Sequence, residues 1–212
     1  AVEFIEENGG EIRFNDRLRA LKFTNDQVSG LEFTDRSIEF HGREAVVLAV
    51  PPSGASQLVP DLEVPTETRA IVNAHFRLDR RVTLPDGANI LGLVGGTAQW
   101  LFARDNIASV TVSAADALAE RSADEITEIL WRDVATALNL PLAPRPPCRV
   151  VKEKRATFAQ TPDATKKRPR SKTKWKNLFL AGDWTATGLP ATIEGAVRSG
   201  LNASIRARRY SR

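Results

Sequence analysis

The apolar positions of the first fifty residues come in short runs broken by turn formers. Glu11–Phe14, Arg17–Phe23, Val28–Phe33 and Ser37–Phe40 read as brief strands, with Asn25-Asp26 and His41-Gly42 at turns. "EAVVLAVPP" (Glu44–Pro52) reads as a buried strand stopped by a proline pair, which cannot continue a central ladder. A short helix is expected over Ser53–Leu58. Further strands are expected over Thr68–Leu78, Ile90–Val94, Gln99–Ala103, Ser109–Ser113 and Arg149–Gln160. Between the last two, Ile126, Ile129, Leu130, Val134, Ala137 and Leu138 fall on one helical face, and Ser122 with Glu125 matches a capping box. Pro141, Pro144, Pro146 and Pro147 then impose an extended connector. The chain closes on a buried strand (Asn177–Ala181) and on a helix from Pro190 to Arg206. In that helix Ile193, Val197, Leu201 and Ile205 form one apolar stripe, and Pro190 suits the first helical position.

Composition adds little to that outline. Of 212 residues, 42% are hydrophobic and 26% charged, as in an ordinary globular protein. The longest apolar run, Ala45–Val50, is too short to span a bilayer. Cys148 is the only cysteine, so no internal disulfide forms and a reducing cytosol is expected. His41, His75 and Cys148 lack the spacing of metal ligands. The chain opens without a secretory pattern and contains no Met, and "AVEFIEENGG" reads as the end of a helix. The expectation is a start within a longer chain.

Charge is unevenly placed. Lys166–Lys176 holds seven basic residues and no acidic one, and Arg206–Arg212 holds four arginines. Without these the body carries more acid than base, against a net charge of +4 for the whole. A nucleic-acid binder would carry its cations on a folded face with aromatics between them, so no nucleic-acid partner is expected. The basic run reads first as a solvated loop, and second as an electrostatic contact with anionic lipid headgroups.

The stretch that carries chemistry is strand, Gly182-Asp183, loop, Pro190, helix. Such a unit presents the free N–H groups and positive dipole end of the helix at the edge of a sheet. Gly195 and Gly200 would allow close packing of that helix, and Asp183 could accept hydrogen bonds from a polyol or sugar. By residue chemistry this is the edge of a cofactor site.

"NLFLAGDWTATGLPATIEGAVRSG" (Asn177–Gly200) resembles the C-terminal flavin-binding motif of the amine oxidase/phytoene desaturase superfamily. "LGLVGGTAQWLF" (Leu91–Phe102), "SVTVSAAD" (Ser109–Asp116) and "VVKEKRATFAQTP" (Val150–Pro162) resemble its squalene-associated branch, the hydroxysqualene dehydroxylases of hopanoid biosynthesis. The resemblance implies an α/β, two-domain, FAD-binding (Rossmann-like) flavoprotein. Residues 1–50 and 173–212 would belong to the FAD domain, and 51–172 to a sheet-rich substrate domain. It also implies FAD as cofactor, a polyisoprenoid as substrate, and reductive dehydroxylation of hydroxysqualene to squalene. A carotenoid-type desaturase, an amine oxidase, or a non-catalytic fragment are the alternatives.

Carried over residue by residue, Asp183 would bind the ribityl or phosphate region. Thr192 and Ile193 would approach the isoalloxazine or pyrophosphate, and the backbone of Leu18 would meet the adenine end. No catalytic acid is assigned. The superfamily's GxGxxG turn is missing, since Gly92, Gly95 and Gly96 have neither its spacing nor its strand-to-helix setting. This chain alone is therefore expected to be inactive. Cytoplasmic location, with peripheral contact on the inner face of the membrane through Lys166–Lys176, completes the expectation.

Other residues near these segments have plainer readings. His75 reads as a hydrogen-bonded structural histidine, Glu194 as a dipole partner, and Trp100 and Phe102 as core. Glu153 and Arg155 share one strand face, as a pocket lining or a surface pair, and Trp184 stands between cofactor contact and core.

Overall fold

The computed structural model describes residues 1–212. In chain order the first elements are α1 (Val2–Glu7), β1 (Leu18–Thr24), β2 (Gln27–Phe33), β3 (Ser37–Glu39), β4 (Val46–Leu48) and α2 (Pro52–Leu58). The middle holds β5 (Thr68–Arg77), β6 (Ile90–Gly92), β7 (Trp100–Arg104), β8 (Ile107–Ser113), α3 (Asp116–Ala119), α4 (Ala123–Ala137) and β9 (Cys148–Phe158). Last come α5 (Pro162–Lys166), β10 (Leu178–Leu180) and α6 (Ile193–Tyr210). No helix is long and apolar enough to cross a membrane.

The chain divides into two compact units. One is Ala1–Thr66 with Gln160–Arg212, the other Glu67–Ala159. Packing thus draws the divisions at 66 and 159, inside the boundaries of 50 and 172 read from sequence.

In the first unit, β1, β2 and β3 form an antiparallel meander. The β1–β2 turn puts Asn25 at φ 56°, a conformation Asn tolerates. β4 and β10 form the only parallel pair, with Leu178 opposite Val46 and Leu180 opposite Leu48. Asn177, buried just before β10, joins the two sheets. Its Oδ1 accepts the Val28 N–H at 2.7 Å, and its Nδ2 donates to the carbonyls of Val28 (2.9 Å) and Glu44 (3.1 Å). Glu11–Phe14 is irregular rather than a strand: no neighbour pairs with it, and Glu11 and Arg13 bond each other at 2.5 Å. The segment after α5 is ordered too, running beside β10 through a bridge between Lys172 and Phe179.

In the second unit a five-stranded antiparallel sheet has the order β6-β7-β8-β5-β9. α4 begins with the expected capping box, Ser122 and Glu125 each bonding the other's backbone N–H. Its Ile126, Leu130, Trp131 and Val134 bury against Val72, Ala74, Phe76, Leu101 and Val110 on one face of that sheet. The short helix α3 was not foreseen, and four residues carry too little periodicity to betray it.

The opposite face of this sheet is open. Strand register aligns Ile90, Phe102, Ser109, His75 and Arg149 in one row, and Gly92, Trp100, Thr111, Asn73 and Val151 in the next. Trp100 is 46% exposed and Phe102 39%, so these two are surface residues rather than core. α4 covers only the face that holds Leu101 and Val110, and alternation along β7 turns both aromatics away from it.

Candidate functional site

The strand-to-helix connection of the first unit is built around Gly182. Its φ of 142° suits glycine alone, and any side chain there would run into the Trp184 indole. The Thr185 hydroxyl donates to the Gly182 carbonyl at 2.8 Å, closing the turn. Trp184 is buried and its Nε1–H donates to the Val50 carbonyl at 3.0 Å, pinning the turn to the end of β4. Trp184 is therefore a core anchor. The bend leaves Asp183 half-buried, and its carboxylate takes no hydrogen bond from the chain.

Arg168 shapes the rest of the loop. Its guanidinium donates to the carbonyls of Asp183 (2.8 Å) and Leu189 (2.7 Å) and to Thr187 Oγ1 (3.1 Å). Burial pushes its pKa down and the nearby Asp183 charge opposes that shift; as an arginine it stays charged. The Pro169 carbonyl accepts the Ala186 N–H at 2.8 Å, and Gln160 Oε1 accepts the Ala191 N–H at 3.1 Å. Sequence reasoning placed Arg168 in a solvated basic run, and charge counting gives no sign that it turns inward.

α6 starts at Ile193, with Thr192 as N-cap accepting the Gly195 N–H on Oγ1 at 3.1 Å. Pro190 precedes the cap and is not the first helical residue. The N–H groups of Ile193 and Glu194 have no partner in the chain, as expected of a first turn. Gly195 is required by space, since a Cβ there would lie 2.9 Å from the Pro190 carbonyl oxygen. Gly200 is not, for nothing lies within 4 Å of its would-be Cβ. Ser199, buried one turn beyond Gly195, accepts the Gly182 N–H on its hydroxyl at 2.7 Å and ties helix to turn. Glu194, read from sequence as a dipole partner, lies in the first turn of α6 and pairs with Arg198 at 2.6 Å in an exposed i,i+4 pair.

The apolar stripe of α6 faces outward. Ile193 is 86% exposed, Val197 62% and Leu201 60%, whereas Gly195, Ser199 and Ala203 are buried. Small side chains let the helix lie close to β10, and the larger apolar ones project from the other side.

The structure thus brings Asp183, Thr192 and Ile193 together in one connection. Leu18 opens β1 in the meander and shares no hydrogen bond with that loop. His75 bonds Ser109 Oγ through Nδ1 at 2.9 Å, and Glu153 accepts the Arg155 N–H at 3.1 Å. No group of His, Cys, Asp and Glu could hold a metal ion.

Free N–H donors at a helix start, a carboxylate that takes no hydrogen bond from the chain and a glycine-lined turn fit a group that carries both anionic and hydroxyl functions. A nucleotide cofactor is such a group. The chain belongs to the flavin containing amine oxidoreductase family, which it matches over residues 1–207.

Among its relatives is a hydroxysqualene dehydroxylase of Sinorhizobium fredii, 48% identical over 96% of this chain and 48% of that protein. Another, of Zymomonas mobilis, is 40% identical over the same shares. A 15-cis-phytoene desaturase of Solanum lycopersicum is more distant, 24% identical over 94% of this chain and 38% of that protein. The chain spans about half the length of the curated relatives it matches. An oxidoreductase from Methanosarcina mazei shares the fold, with a TM-score of 0.69 at 13% identity over 94% of this chain and 51% of that one.

Proposed function

We propose that this chain is part of an FAD-dependent oxidoreductase acting on a polyisoprenoid, and that its reaction is the reductive dehydroxylation of hydroxysqualene to squalene in hopanoid synthesis. The observation that carries the cofactor half is the Gly182–Glu194 connection, in which the first turn of α6 has free N–H groups and the Asp183 carboxylate takes no hydrogen bond from the chain. The relatives support the substrate half, as does the open sheet face of the second unit.

In this reading Asp183 lies at the ribityl or phosphate region, where its carboxylate accepts hydrogen bonds from ribityl hydroxyls, and the backbone at Thr192 and Ile193 donates to the cofactor's electron-rich edge. Leu18 contributes its backbone at the adenine end. Bound FAD supplies the hydride chemistry. Arg168, Ser199 and Trp184 hold the connection in place before any ligand arrives. Trp100 and Phe102 offer an apolar wall to a hydrocarbon chain, with the Thr111–Asn73 and Ser109–His75 pairs beside them for a polar end. The first unit then serves as FAD domain and the second as substrate domain. Loss of the hydroxyl needs a proton or a strong donor, and no residue is assigned to that step.

A substrate of this kind partitions into lipid. The protein is read as cytoplasmic and peripheral, touching the membrane through Lys166–Lys176. The test is to offer hydroxysqualene, phytoene and simple amines to the intact protein under both reducing and oxidising conditions. Squalene formed from hydroxysqualene, with reduced flavin consumed in proportion, is the expected result. Oxidation of an amine or desaturation of phytoene in its place would refute the substrate assignment.

A further inference from the structure

The basic run between α5 and β10 is an ordered comb. Lys172 bridges Phe179 of β10 and the Leu180 N–H donates to the Ser171 carbonyl at 2.7 Å, after which the chain bends at Lys174 and Trp175 and turns at Lys176. Exposure alternates along it: Arg170, Lys172, Lys174 and Lys176 are exposed, while Ser171, Thr173 and Trp175 turn inward. Lys174 is matched by Asp61 at 2.9 Å and Lys176 by Asp26 at 2.5 Å. Arg170 and Lys172 make no ion pair, and neighbouring Lys167 is likewise exposed and unpaired.

Arg170, Lys172 and Lys174 also line a pocket of about 190 Å³, whose apolar lining includes Val59, Leu62, Trp175 and Leu180. One water needs roughly 10–15 Å³ of such space, so the pocket has room for a phosphate with part of its ester. Donors outnumber acceptors throughout the segment. Trp175, which lines the pocket, has a buried Nε1–H without an acceptor, and the one carboxylate of the lining, Asp61, is already paired with Lys174.

We infer that this pocket seats the phosphate of an anionic lipid headgroup, with Arg170 and Lys172 as its principal ligands. The apolar lining suits the carbon side of a phosphoester, and an otherwise acidic body disfavours a nucleic-acid polyanion. The inference rests on the proposed function only in choosing a lipid as the carrier of the phosphate. Arg168 is no part of it, because its guanidinium is engaged with the loop before α6.

The experiment is co-sedimentation of the 212-residue chain with phosphatidylcholine vesicles and with vesicles of equal parts phosphatidylcholine and phosphatidylglycerol. Binding to the second and not the first is expected at low salt. The double variant Arg170→Gln/Lys172→Gln should bind the anionic vesicles about thirtyfold more weakly. Arg121→Gln, an exposed cation of the other unit, should bind as the wild type does, and melting curves should show both variants folded. Equal binding to both vesicles, or an equal loss in Arg121→Gln, would overturn the inference. So would inorganic phosphate or a single-stranded oligonucleotide binding as tightly as the anionic vesicles. Turnover of detergent-dispersed hydroxysqualene by the intact protein reports the proposed function separately and should survive the double substitution.

Discussion

Two glycines on α6 should respond to the same substitution with opposite sign. Gly200 lies in mid-helix with nothing within 4 Å of its would-be Cβ, so Gly200→Ala should stabilise by about 1 kcal/mol through helix propensity and a less flexible unfolded chain. Gly195 is the third helical residue. A Cβ there would stand 2.9 Å from the Pro190 carbonyl oxygen and 3.4 Å from Thr192 Oγ1. The nearer atom belongs to the backbone and cannot rotate aside. Overpacking of this sort costs about 1–3 kcal/mol, which exceeds the propensity gain. Gly195→Ala should therefore destabilise by about 1 kcal/mol, leaving the two variants roughly 2 kcal/mol apart. Native-state hydrogen exchange of the α6 amides reads this directly, and a 2 kcal/mol gap is about a thirtyfold difference in exchange rate. If Gly195→Ala protects α6 as well as Gly200→Ala does, the close approach of the helix start to Pro190 is wrong, and the cofactor cradle with it.

Asn177→Ala leaves one buried N–H and two carbonyls of the first unit without their partner. A loss of about 3 kcal/mol is expected, seen as a fall in Tm of roughly 6–12 °C, and a fall under 2 °C would mean the joint is not structural. Arg168→Lys keeps the charge but cannot reach both the Asp183 and Leu189 carbonyls as a planar fork does. Proteolysis within 183–191 should become faster in that variant, and unchanged cleavage would show that the loop holds itself. Burial raises the Cys148 thiol pKa, outweighing the hydrogen bonds from Thr127 and His75 that lower it. Because the thiolate reacts, alkylation should need a more alkaline solution than free cysteine does, and a midpoint at or below that of free cysteine would contradict this.

How much of this was legible beforehand depended on period and on partners. The hairpins, the buried strands and the capped helix Ala123–Ala137 followed from alternation, turn residues and the Ser122–Glu125 box. Glu11–Phe14 misled because a strand exists only where a neighbour pairs with it, which a local pattern cannot show. The stripe Ile193–Val197–Leu201 has the right period for a buried face, yet the face that packs is the small-residue one through Gly195, Ser199 and Ala203. Periodicity finds an apolar stripe but not which neighbour meets it. Trp100 and Phe102 misled likewise, since size and hydrophobicity do not tell which side of a sheet receives the helix. Near the candidate site, the order strand, Gly182-Asp183 turn and helix was readable because these elements are contiguous, while the cofactor roles of Asp183, Thr192 and Ile193 rest on the family resemblance. Arg168 and Ser199 were not, because their roles come from bonds to the loop and to Gly182 across 15 or more residues.

The central claim is that the connection from Gly182 to Glu194 holds FAD, with Asp183 as its carboxylate. Its most direct test is the dissociation constant of FAD from the intact protein and from Asp183→Ala, measured beside the melting of both apo-proteins. The Asp183 carboxylate takes no hydrogen bond from the chain and acts on Arg168 only through its charge, so its removal should leave the apo melt nearly unchanged. Affinity should fall by roughly ten- to a hundredfold, the worth of one charge-assisted hydrogen bond. An unchanged FAD affinity in Asp183→Ala would contradict the account.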